Sequence, residues 1–290
     1  MTKPTHRIAI ITDTTSDLSP EVAESAGVSM VPLYLIWGED TFTDGVDITK
    51  EAFYERLGRD EVSPSTSQPT PADFLAEYRR VIADGAEEIV VFTIADGLSG
   101  TYDSATAAAQ QVDVPVHVMD SNSTSMGLGM QVLAAVAARE AGGDAQAMLA
   151  AAERVRERIR VFFAVNTLEY LHRGGRIGGA AKLLGTMLQL KPLLLLDNKT
   201  GYIDAVERAR TWKKALERVY EVATDGIEPG RKVRAWVMHA AATKDAMAMA
   251  ERLTKAYELV AMGMGQLSPV LGTHVGPGTV GIVLYDDGDE

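Results

Sequence analysis

Hydroxyl side chains recur in short groups along this chain: Thr14, Thr15 and Ser16; Ser65, Thr66 and Ser67; Ser99 and Thr101; Ser121, Ser123 and Thr124. Hydroxyls donate and accept without carrying charge, which suits them to holding a carboxylate without a strong fixed countercharge. Helix capping accounts for each group taken singly. Their repetition at the ends of apolar runs is what favours a ligand. The sharpest instance is residues 89–104, IVVFTIADGLSGTYDS. Residues 89–94 have the β-branched and aromatic composition of a buried strand in a parallel sheet. Residues 96–101 form a loop of small residues, and residues 102–111 (YDSATAAAQQ) are rich in helix formers. A strand, a tight loop and a helix in that order aim N–H groups and hydroxyls at one spot, where the helix dipole favours negative charge. The pattern predicts a small anion cradle, or an ordinary capped turn.

His274 lies in LGTHVGPGTVG (271–281), among glycines and a proline, a setting that predicts a rigid loop presenting an imidazole. Arg173, Arg176 and Lys182 surround RGGRIGG, and Arg208 and Arg210 follow a turn at 198–201; together they predict a basic rim suited to a phosphate or an acidic partner. Ser99 and His274 also define an alternative, the nucleophile and base of a serine hydrolase acting on acyl esters, although no G-x-S-x-G elbow is present. Other chemistries lack their residues. There is no P-loop motif, Val132 stands where a dinucleotide fingerprint beginning Gly127-Leu128-Gly129 needs its third glycine, and the five histidines show no metal-ligand spacing. Cysteine is absent, which removes thiolate chemistry and disulfides. No metal and no cofactor are expected.

The elements that must position these residues alternate between strand and helix as far as about residue 166. Strands are expected at 7–12, 28–36, 89–94, 114–119 and 161–165, with helices between them. That rhythm predicts an α/β fold with a doubly wound, mainly parallel sheet, whose ligands sit outside the carboxyl ends of the strands. A hairpin around 198–201, strands near 232–239, 258–262 and 279–285 and two amphipathic helices then predict a smaller α+β domain. The expected division is 1–166 for the domain carrying the hydroxyl loops and 167–290 for the domain covering the ligand, which binds in the interdomain region. The 290 residues carry 28 Lys plus Arg against 40 Asp plus Glu, a net charge of −12 that disfavours a nucleic-acid partner. The apolar run 183–196 is interrupted by Gln189, Lys191 and Pro192, so stable membrane insertion is not expected, and neither is a signal peptide; the expected location is cytoplasmic.

Taken jointly, TDTTSDL (12–18), PSTSQPTPADF (64–74), GLSGTY (97–102), MDSNSTSMGLG (119–129), RGGRIGG (173–179), KPLL (191–194) and GTHVGPGTVG (272–281) resemble the DegV family over nearly the whole chain. The resemblance implies a two-domain α/β carrier that holds one long-chain fatty acid, like the FakB subunit of bacterial fatty-acid kinase. It also implies that a separate kinase subunit, FakA-like, phosphorylates the bound carboxylate. By the same resemblance Thr66 or Ser67, Ser99, Gly100 and His274 surround the carboxylate, Arg210 takes a basic position near the head group, and Arg176 faces the kinase or the transferred phosphate. The methionines Met119, Met126, Met130, Met187, Met262 and Met264 are expected as pliable tunnel lining.

Overall fold

The computed structural model describes residues 7–185 and 190–288, so Met187 lies outside the described residues. The chain begins with β1 (Ile8–Asp13), α1 (Pro20–Ser25), β2 (Val28–Val31), β3 (Tyr34–Trp37), β4 (Asp40–Thr43) and α2 (Lys50–Leu57). It continues through β5 (Ser65–Ser67), α3 (Pro71–Ala83), β6 (Glu88–Thr93), α4 (Thr101–Ala109), β7 (Val116–Asp120), α5 (Met126–Glu140) and α6 (Ala145–Arg158). The remainder comprises β8 (Arg160–Ala164), α7 (Glu169–Arg173), β9 (Lys191–Leu196), β10 (Ile203–Ala209) and α8 (Trp212–Ala223), then β11 (Lys232–His239), α9 (Thr243–Ala256), β12 (Glu258–Gln266), α10 (Pro269–Val275) and β13 (Val280–Asp286).

The first sheet is four-stranded and parallel, in the order β2-β1-β6-β7. Its central strand β6 is buried from Ile89 onward, which explains its unbroken apolar run. Period-two alternation sends Ile11, Ile89 and Val91 to a core with Phe74 and Tyr78 of α3. Ile10, Val90 and Phe92 turn instead toward α5 and the main core. Helices therefore cover both faces, the doubly wound arrangement. Thr70 caps α3 through a reciprocal capping box with Asp73, and Pro71 takes the first helical position.

Two strands depart from the sequence expectation. The single strand expected over 28–36 is divided at Pro32, which has no N–H for the ladder, and Leu33 N–H donates to Thr14 Oγ1 at 3.1 Å instead. Past that break, β3 pairs with β4 and β5 in a separate three-stranded antiparallel sheet. The strand near 161–165, expected in the first sheet, enters the second. That sheet has six strands in the order β10-β9-β8-β13-β11-β12, and β8 runs antiparallel to both β9 and β13. The cause is α5 and α6, which pack on β1 and β6 on one side and β13 on the other. Alternation of strand and helix identifies each element without saying to which sheet a helix delivers the chain.

Candidate functional site

The β6–α4 loop closes as a single turn, with the N–H groups of Leu98 and Ser99 donating to Ala95 O at 2.9 and 3.1 Å. Ser99 Oγ shares a 2.9 Å hydrogen bond with Thr101 Oγ1. Gly100 sits at the start of α4, where a Cβ would lie 2.5 Å from Gln68 Oε1. A glycine here lets Gln68 Nε2 reach Gly100 O at 2.9 Å and Ser104 Oγ at 3.1 Å, joining the β5 loop to the α4 loop.

Opposite this turn stands α10. Ser268 caps it and Pro269 opens it, so His274 occupies the last turn of a short helix instead of the rigid loop expected from its glycines. His274 Nε2 and Thr66 Oγ1 lie 2.8 Å apart, across 208 residues of sequence. Gly174 makes room for the ring, since a Cβ there would lie 2.2 Å from His274 Nδ1. Nδ1 is buried without a hydrogen-bond partner among the described residues. Burial, with the Arg176 charge adding to it, pushes the imidazole down to about 4, so the ring is neutral near pH 7. Arg176 is fixed across the gap by donating from Nε to Leu98 O and from Nη1 to Gly174 O, both at 2.8 Å.

Thr66, Gln68, Ser99, Arg176 and His274 supply the polar wall of one cavity. Leu98, Thr124, Ile203, Leu271 and Val275 line this cavity and also a second, deeper one. The deeper cavity adds Val161, Phe163, Leu196, Met238 and Val283, all apolar. Hydroxyls that reach it are already engaged: Ser125 Oγ donates to Asp17 at 2.6 Å, and Thr279 Oγ1 donates to Val275 O and Gly276 O at 3.0 Å. A polar mouth leading to an apolar interior fits one chemistry, an amphiphile with a compact polar head and a hydrocarbon tail.

The structure brings together Thr66, Ser99, Gly100, Arg176 and His274, the last from α10. It does not bring Ser67 or Arg210 to them. Alternation along β5 exposes Ser67, whose Oγ donates to Gln68 O at 3.3 Å. Arg210 is exposed just beyond the end of β10, about 20 Å along that strand from Ile203. Within the expected basic rim, Arg173 pairs with Glu169, and Lys182 pairs with Asp204 at 2.8 Å. Arg176 alone of those three lines the polar cavity. Met126 and Met130 are core residues, Met119 packs against that core, Met262 packs on the second core and Met264 is exposed. Among the described methionines it is Met238, unforeseen, that lines the deeper cavity. Gln68 and Gly174 also escaped notice, although both lie inside motifs quoted above.

The geometry does not assemble a hydrolase. Among the described residues Ser99 bonds Thr101, His274 bonds Thr66, and no carboxylate meets Nδ1, so nucleophile, base and orienting acid are not linked. Among the described residues no cluster of three or more His, Asp or Glu side chains is placed to hold a metal, and no helix is long and apolar enough to cross a membrane.

The fold is thus α/β, with a polar-walled cavity adjoining an apolar one. Residues 7–287 match a family model described as an uncharacterised protein of the DegV family, and the chain belongs to that family. It is 38% identical over 278 residues to a DegV domain-containing protein of Streptomyces coelicolor, covering 96% of this chain and 98% of the relative. Among solved structures, a fatty-acid-binding DegV family protein from Thermus thermophilus superposes with a TM-score of 0.88 at 36% identity, covering 97% of this chain and 99% of that one. DegV of Bacillus subtilis, described as a fatty acid binding protein, gives 0.87 at 30% identity, with coverage of 97% and 99%.

Proposed function

We propose that this chain binds one long-chain fatty acid and presents its carboxylate to a separate kinase subunit, without catalysing a reaction itself. The observation that carries the binding reading is the pair of cavities sharing one wall, polar at Thr66, Ser99 and His274 and apolar beyond Leu98 and Val275. The fatty-acid binding of its DegV structural neighbours supports it. Each enclosed methylene contributes about 0.8 kcal/mol, so a chain of about fifteen gains on the order of 10 kcal/mol. The tail supplies affinity.

The head supplies orientation. The hydroxyls of Thr66 and Ser99 donate to the carboxylate, the neutral imidazole of His274 orients the Thr66 hydroxyl by donating to it from Nε2, and Arg176 places a positive charge beside the head group. For acyl-phosphate formation a carboxylate oxygen attacks the γ-phosphorus of ATP, the bond to the leaving ADP breaks, and the carrier's task is to hold that oxygen at the mouth. Arg176, exposed at that mouth, is suited to face the incoming phosphate.

Protein purified from bacterial expression is expected to carry non-protein mass by native mass spectrometry, identified after organic extraction as fatty acid. Addition of a fatty-acid kinase subunit and ATP is then expected to give an acyl phosphate, trapped as a hydroxamate. Empty protein that takes up neither palmitate nor oleate contradicts the binding reading. Loaded protein that never yields hydroxamate contradicts the presentation to a kinase.

A further inference from the structure

Beyond the deeper cavity lies a groove of about 280 Å³ between the α5–α6 pair and the second sheet. Three elements pass from one to the other. On β11, Met238 lines the cavity and Trp236 the groove; on β13, Val283 lines the cavity and Tyr285 the groove. In each strand these are two-residue steps on one face, about 7 Å. At the head of α5, Ser125 lines the cavity and Met130 the groove, a rise of about 7.5 Å over five residues. The paired strands β11 and β13 step in the same direction, which places both spaces along the same sheet face.

Met238, lining the cavity, and Met130, lining the groove, are 4% and 3% exposed and belong with Val283 and Tyr285 to one core cluster. Methionine has several rotatable bonds and repacks at low cost. Glycines on β12 accommodate these side chains where they stand: a Cβ at Gly265 would lie 3.0 Å from Met238 Cε, and one at Gly263 would lie 2.0 Å from Trp236 Nε1. The groove is lined by the apolar Leu133, Ala134, Trp236 and Tyr285 together with the charged Arg154, Arg158, Arg234 and Asp287.

We infer that Met130 and Met238 form a movable partition, and that the groove behind it receives the methyl end of very long saturated acyl chains. The inference rests on the fatty-acid reading above. An extra step of about 7 Å accommodates about five further methylenes, given C–C bonds of about 1.5 Å.

The test compares palmitate with behenate on delipidated full-length protein, occupancy being confirmed by native mass spectrometry. Behenate binds at least as tightly as palmitate, and its binding, unlike that of palmitate, shifts the emission of Trp236; the shift disappears in Trp236→Phe. Ala134→Phe, which fills the groove one helical turn from Met130, weakens behenate about tenfold and palmitate by less than about twofold. If palmitate binds and behenate does not, or behenate binds without moving Trp236 emission, the partition does not open and the inference is wrong. If neither binds, the fatty-acid reading itself fails.

Discussion

At the scale of single residues, the head-group site depends on which way each hydroxyl points. Thr66 and Ser67 are adjacent in sequence and chemically alike, yet the pleat of β5 turns one to His274 and the other to solvent. Thr66→Val is therefore expected to weaken fatty-acid binding about tenfold, the worth of one hydrogen bond to a charged group, while Ser67→Ala leaves it unchanged. Isothermal titration with palmitate measures both. Equal losses, or loss at Ser67 alone, contradict the placement. The two residues were indistinguishable in sequence because three short strand residues bounded by prolines do not announce which side chain faces inward. Ser99 and Gly100 were legible because a strand, a small-residue loop and a helix carry their geometry locally.

At the scale of elements, α10 brings His274 to the site, and buried acids hold its start. Asp17 accepts from Ser268 N–H at 2.9 Å and pairs with Lys50 Nζ at 3.5 Å, while Lys50 also donates to Gln266 O at 2.6 Å. Asp44 lies close by, 1% exposed, near the Thr14 hydroxyl and the Val270 N–H. Burial pushes its carboxyl up to about 6, the Thr14 hydroxyl opposing and the Asp17 charge adding. A raised carboxyl pKa means that the folded protein keeps a proton that the unfolded chain loses above about 4. The stability contribution is thus complete below about pH 4 and is lost as pH rises through about 6. Asp44→Asn is expected to stabilise the fold by about 1 to 3 kcal/mol at pH 7 and by much less at pH 4, read from urea denaturation at both values. A variant less stable than the parent at pH 7 contradicts this account of Asp44. None of it is visible in residues 41–48, TFTDGVDI, a turn-rich stretch; burial of Asp44 follows from α10, more than 200 residues away, docking upon it.

At the scale of the whole molecule, a parallel sheet and a mixed sheet enclose the α5–α6 pair, and the amphiphile site forms where the loops of the first meet α10 and one face of the second. The α/β class, the helices on both faces of the parallel sheet and most strand positions were legible because burial writes itself as apolar runs and period-two alternation. The membership of β8 was not, because strand partners far apart in sequence leave no local mark. The same limit hid Met238: its neighbours in the cavity come from β8, β9, α10 and β13. Conversely, Met126 and Met130 suggested tunnel lining by type alone, and the structure assigns them to the core, with Met130 at the far groove.

The most direct measurement is a titration of delipidated protein with palmitate carrying carbon-13 at its carboxyl, followed by NMR. The account predicts one bound carboxyl resonance that saturates at one ligand per chain, moves in Thr66→Val and in His274→Ala, and stays in place in Ser67→Ala. A resonance that never saturates, or one indifferent to Thr66 and His274, would contradict the placement of a fatty-acid head group between β5 and α10.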